Sequence, residues 1–98
     1  MPAAVRLTDI CSGHGCWPPR ANTGASPDVL CNGLGAHRVG DPWAPHTCPS
    51  IPETHASTQA GGSPDVFVNG RAWARVGDAI ACGSRNATGS PTVFLNGD

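Results

Sequence analysis

Internal repetition constrains this chain more than any other feature. Ser26–Gly33 reads SPDVLCNG, Ser63–Gly70 reads SPDVFVNG and Ser90–Gly97 reads SPTVFLNG. Each copy joins a Ser-Pro turn signal to a short run of branched or aromatic residues and ends on Asn-Gly. That pair favours the positive φ angles of a type I′ hairpin turn. The residues after each turn repeat as well. LGAHRVGD follows Gly33 and ends at Asp41, and RAWARVGD follows Gly70 and ends at Asp78. The third such return strand stands at the other end of the sequence, as PAAVRLTD from Pro2 to Asp9. The N-terminal strand is therefore expected to pair with the C-terminal one, closing a ring of three hairpins and bringing the termini together. Closure of this kind removes the open sheet edges that invite aggregation.

The fold class expected is all-β, a small pseudo-threefold assembly of short hairpins forming a single domain over residues 1–98. The turns Asn32-Gly33, Asn69-Gly70 and Asn96-Gly97 gather at one end. At about 3.3 Å per residue, a seven-residue return strand carries the chain about 20 Å away from them. Loops of unequal length, rich in Gly, Pro and Ser, then run from Asp9 to Ser26, Asp41 to Ser63 and Asp78 to Ser90.

Composition asks what holds such an object together. Leu, Ile, Val and Phe number only 16 of 98 residues, while Gly and Pro number 23. Helices are disfavoured and an ordinary apolar core is out of reach. A net charge of −1 argues against disorder, so a staple is expected. Five Cys cannot pair completely, and with four His they point to a metal. Six Arg and no Lys, scattered singly, form no basic patch for nucleic acid. No apolar run approaches the roughly 18–20 residues of a membrane span. The N-terminus lacks the pattern of a signal peptide, so synthesis in the cytoplasm is expected.

Each unequal loop carries a metal-type side chain soon after its Asp. His14 lies five residues after Asp9, His46 five after Asp41 and Cys82 four after Asp78, and the middle loop adds His55. Pseudo-threefold symmetry brings these to one axis. Three imidazoles and a thiolate make a closed tetrahedral set, typical of structural zinc. Cys48 is an alternative to His46 or His55, and a Cys11–Cys16 disulfide is another open arrangement. His37 aligns with Val5 and Ala74, mid-strand and away from the loops, and reads as a surface or interface residue. Cys31 aligns with Val68 and Leu95 and reads as a small core residue. Arg6, Arg38 and Arg75, each three residues before an Asp, read as local ion pairs worth at most about 1 kcal/mol if exposed. Trp17, Trp43 and Trp73 read as packing, with an aromatic binding platform as the alternative.

These motifs together resemble the PAAR-repeat family. Met1-Pro2-Ala3-Ala4-Val5-Arg6 is similar to its naming Pro-Ala-Ala-Arg motif with Val5 inserted. Ala36-His37-Arg38-Val39-Gly40-Asp41 and Ala74-Arg75-Val76-Gly77-Asp78 fit its strands, with Thr8 standing where these have Gly. Gly13-His14-Gly15-Cys16 and Ala81-Cys82-Gly83-Ser84 resemble its ligand loops. The resemblance implies a pointed cone with zinc near the apex, held by three His and one Cys. It further implies a structural role as the sharpened tip of a contractile injection machine, a phage tail or type VI secretion system. One copy would cap a trimeric β-helical spike, of the VgrG type or a phage central spike, and enter the target-cell envelope.

Symmetry then assigns the spike-facing residues to the turns: Asn32, Gly33, Leu34, Asn69, Gly70, Ala72, Asn96 and Gly97. Two other functions compete, an adaptor linking effector cargo to the spike and a free-standing zinc-binding module. An enzyme is not expected, because four protein ligands leave zinc no open position for water. Only Asp98 follows the last Asn-Gly, so no toxin extension is expected.

Overall fold

The computed structural model describes residues 1–48, 50 and 53–95, so Asn96 and Gly97 lie outside the described residues. Six short strands pair in three antiparallel hairpins, and no helix occurs among the described residues. Strands β1 (Leu30–Cys31) and β2 (Leu34–Gly35) flank the Asn32-Gly33 turn, with Leu30 opposite Gly35 and Cys31 opposite Leu34. Strands β5 (Phe67–Val68) and β6 (Arg71–Ala72) repeat that register around Asn69-Gly70. The turn angles are as the Asn-Gly pairs require, with φ 54° and 80° in the first and 53° and 79° in the second.

The return strands meet in a closed cycle. Val5 N–H donates to Ala74 O at 3.0 Å, Ala74 N–H to His37 O at 2.9 Å, and His37 N–H to Val5 O at 3.1 Å. All three residues are fully buried, so the pseudo-threefold axis passes through them. A second cycle two residues on joins Leu7 to Gly35, Val39 to Ala72 and Val76 to Ala3. The chain ends pair as expected: Ala3 bridges Phe94, and Leu95 N–H donates to Pro2 O at 2.8 Å.

His37 is thus not a surface residue. It occupies the axis beside two apolar side chains, donates from Nδ1 to Gly24 O at 2.7 Å and packs edge-on to Trp43. The Gly24 carbonyl satisfies Nδ1, while Nε2 is buried without a hydrogen-bond partner among the described residues. Desolvation holds its pKa below the usual 6.5, against the opposing hydrogen bond to Gly24 and the nearby Asp41 carboxylate.

The Arg-Asp pairs are likewise more than surface contacts. Each Asp accepts from the Arg backbone N–H and from its Nε through Oδ2, and from Nη2 through Oδ1. In the middle unit both partners are buried, with Arg38 Nε 2.8 Å from Asp41 Oδ2. Burial pushes the Asp41 carboxyl up, but the hydrogen bonds and charge of Arg38, with Arg71, outweigh it and leave the pKa below normal. The turn between each Arg and Asp needs a left-handed residue, Gly40 (φ 90°), Gly77 (φ 93°) or Thr8 (φ 75°). Thr8 is β-branched and strained there.

Polar bonds also join one unit to the next. Ser26 Oγ accepts from Val29 N–H at 2.9 Å, closing the Ser-Pro turn, and donates to Asn69 Oδ1 at 2.6 Å. Ser90 repeats this with Val93 N–H and with Asn32 Oδ1. A small apolar cluster of Cys11, Trp43 and Ile80, with Cys82 packed against it, completes the interior. Cys31 is buried, as its alignment with Val68 and Leu95 implies.

Candidate metal centre

All three unequal loops leave and re-enter the scaffold in the same way. Asn22 N–H donates to Asp9 O, Gln59 N–H to Asp41 O and Asn86 N–H to Asp78 O, at 3.0–3.1 Å. Between those bonds the loops differ entirely. The middle one is not irregular, as its Pro and Ser content suggested. It is the longest hairpin among the described residues, β3 (Pro42–Cys48) against β4 (Glu53–Thr58). Pro42 occupies the first strand position and Pro45 sits where the register shifts, the two places a strand tolerates proline. This register sets His46 directly opposite His55.

The first loop delivers His14 from a tight turn, in which His14 and Trp17 exchange backbone hydrogen bonds at 3.0 and 2.9 Å. Gly13 makes the turn possible: its φ is 72°, and a Cβ there would lie 2.6 Å from Trp17 O. The last loop presents Cys82 in a turn closed by Gly83 N–H to Ile80 O at 3.0 Å.

The structure brings together all four residues expected to do so. One ligand atom from each of His14, His46, His55 and Cys82 lies within 4.8 Å of every other. His46 Nε2 is 2.6 Å and His14 Nε2 3.1 Å from His55 Nε2. Bare imidazole nitrogens do not converge so closely unless a proton or a cation lies between them. His46 Nδ1 faces Pro18 O at 2.9 Å, and a carbonyl only accepts, so the proton is on Nδ1 and the Nε2 lone pair points into the group. Trp17 stacks on His14 and lies tilted against His55, at centroid distances of 5.0 and 4.9 Å. Desolvation, then the neighbouring His46 and His55, hold the His14 pKa below its usual value. A half-sheltered N₃S donor set backed by Trp43 and Ile80 fits a metal ion that takes four ligands.

The remaining cysteines resolve differently from the alternatives left open by sequence. Cys16 pairs with Cys48 in a disulfide with a Cα–Cα distance of 5.1 Å. Cys11 is therefore not paired with Cys16, and Cys48 does not stand in for a histidine. Cys11 and Cys31 are free and buried. His37 is not part of the metal-type group.

At the turns, Gly33 and Gly70 are exposed, and Leu34 and Ala72 are half-buried. The Asn32 and Asn69 side chains are engaged within the chain, holding Ser90 and Ser26 and accepting from Arg6 and Arg38. A feature missed in the sequence lies beside them. Leu30, Phe67 and Phe94, at equivalent repeat positions, are 62, 59 and 50% exposed. The signal was present: each immediately precedes a residue assigned to the core, so strand alternation turns it outward.

No curated protein matches the chain. The PAAR-motif family profile matches residues 12–86, a span that contains the whole His/Cys group and two of the return strands. On that match the chain belongs to the PAAR-repeat family, the spike-tip-associated proteins of contractile injection systems.

Proposed function

We propose that the protein is the piercing tip that caps a trimeric β-helical spike, one copy per trimer, with zinc tying the loop end of the molecule. Its family is structural rather than enzymatic. The observation that carries the reading is the cyclic hydrogen-bonding of Val5, His37 and Ala74, which gives a single chain the symmetry of a threefold partner.

The exposed Leu30, Phe67 and Phe94 extend that symmetry to the surface, where large apolar side chains support a partner contact. With the neighbouring Gly33, Leu34, Gly70 and Ala72, and by repeat position Asn96 and Gly97, they form the proposed spike-facing set. Asn32 and Asn69 contribute by holding the turns in shape. At the other ends of the return strands, zinc would crosslink the three loops beside the small apolar cluster of Cys11, Trp43 and Ile80. Sheath contraction would then drive a tied, narrow end into the target envelope.

The test is co-purification with the trimeric spike. Leu30→Glu/Phe67→Glu and, separately, Leu34→Glu/Ala72→Glu are expected to abolish capture while leaving the fold and metal content intact. Undiminished capture by both variants would refute the assignment of this face.

A further inference from the structure

We propose that the Cys16–Cys48 disulfide is a redox-controlled lock on the metal centre, so that oxidation tightens the hold on the ion and reduction loosens it. The inference rests on the metal-binding reading above and adds a control to it. Cys16 lies two residues beyond His14, and Cys48 two residues beyond His46. The disulfide and the metal group therefore bridge the same two segments, the His14 turn and strand β3.

Few other bonds hold that turn to β3. His46 Nδ1–H to Pro18 O joins them, with the ring contacts of His14 and Trp17 on His46. On the entering side of the turn the next hydrogen bond, Ser12 N–H to Arg85 O, leads to the third loop. On the leaving side the chain is paired with β3 only from Ala21 on, where Ala44 N–H donates to Ala21 O at 3.1 Å and Thr23 N–H to Pro42 O at 3.0 Å. Ordering the His14 turn over β3 is thus a step that both crosslinks require. Whichever forms first removes the entropy loss for the second. By linkage the coupling is reciprocal: metal must favour the disulfide by the same factor as the disulfide favours metal. Oxidation also withdraws two soft sulfur donors that stand next to two of the ligands and would otherwise compete for the ion.

The chemistry balances with a low-molecular-weight disulfide, such as oxidised glutathione, as the oxidant. The Cys16 and Cys48 thiols together lose two electrons and two protons, one S–S bond forms, and the oxidant's S–S bond is reduced to two thiols. In a reducing compartment the lock is open, and in an oxidising one it closes.

Zinc affinity would be measured on the full chain by chelator competition, with wild type oxidised, wild type reduced by a phosphine, and Cys16→Ser/Cys48→Ser. Oxidised wild type is expected to bind roughly 10- to 100-fold more tightly than the other two. Because the variant's turn can lose order, the reciprocal measurement is made on wild type alone. Zinc should shift the glutathione equilibrium of the disulfide by the same factor. Equal affinities, and an equilibrium unmoved by zinc, overturn the coupling and leave the metal centre standing. Tighter binding by reduced wild type overturns it in favour of thiolate ligation. Absence of zinc uptake in every form overturns both the lock and the metal centre.

Discussion

The return-strand scaffold and the loop end of this molecule are built on opposite plans. In the scaffold the framing contacts recur with the repeat: the cycle through Val5, His37 and Ala74, the three Arg-Asp turns, and the Ser-to-Asn bonds of Ser26 and Ser90. At the loop end, among the described residues, little recurs beyond the bonds through which each loop enters and leaves. One loop is a tight turn bearing His14, one a long hairpin bearing two histidines, one a short turn bearing Cys82. The scaffold is held by equivalent polar bonds, and the loop end by the unlike contacts of its three loops, the Cys11, Trp43 and Ile80 cluster and the Cys16–Cys48 disulfide among them. Repetition supplies position, and departure from repetition supplies chemistry.

Metal removal should separate the two regions most sharply. A structural zinc site contributes on the order of 10 kcal/mol of apparent free energy. Chelation is expected to release amide protection in β3, β4 and the His14–Trp17 turn while the Val5, His37 and Ala74 amides stay protected, as read by hydrogen exchange. Equal loss in both regions would mean that the scaffold does not stand without the loops.

The next effect belongs to the scaffold. Arg38→Ala takes the Nε and Nη2 donors from the buried Asp41 carboxylate, leaving it the backbone N–H of residue 38 and Arg71 Nη2 at 3.4 Å. It is expected to lower stability by about 2–3 kcal/mol in denaturant unfolding. Zinc content should be unchanged. Loss of the disulfide in Cys16→Ala/Cys48→Ala is expected to lower stability by about 2–4 kcal/mol, with the damage confined to the loop end.

Acid should act on the axis through His37. Its folded pKa lies below 6.5, so between the two values the unfolded chain binds a proton that the folded chain does not. In metal-free protein, stability should fall as pH drops below about 6.5 and level off beneath the folded pKa. His37→Gln should flatten that slope, and an unchanged slope would place the acid sensitivity elsewhere. The smallest effect is a gain. Thr8→Gly relieves the one Arg-Asp turn lacking glycine and is expected to add about 1 kcal/mol, seen as a raised Tm.

How much was legible in advance follows the same division. Asn-Gly turns, the pairing of the chain ends and the meeting of His14, His46 and Cys82 follow from repeat registry, whereas His55 has no repeat counterpart and was read only as an added histidine of the middle loop. His37 was misread, because its polar side chain suggested surface although its repeat partners, Val5 and Ala74, are apolar. The β3–β4 hairpin was hidden by Pro42 and Pro45, which look like loop residues until a strand start and a register shift are available to hold them. The disulfide was not legible at all, since Cys16 and Cys48 have no repeat counterparts and nothing local specifies their pairing. Exposure of Leu30, Phe67 and Phe94 was deducible from alternation alone.

The shared entry bond of the three loops has a consequence for how such a molecule can change. Asn22, Gln59 and Asn86 make the same backbone bond to the aspartate before each loop, so the scaffold fixes where a loop begins and ends more than the course it takes between. Closing a loop twice as long adds only about 0.6 kcal/mol. Segments can therefore be exchanged, lengthened or grafted at one end of the protein without renegotiating the other. In lineage or in the laboratory, the same ring can carry differently shaped points.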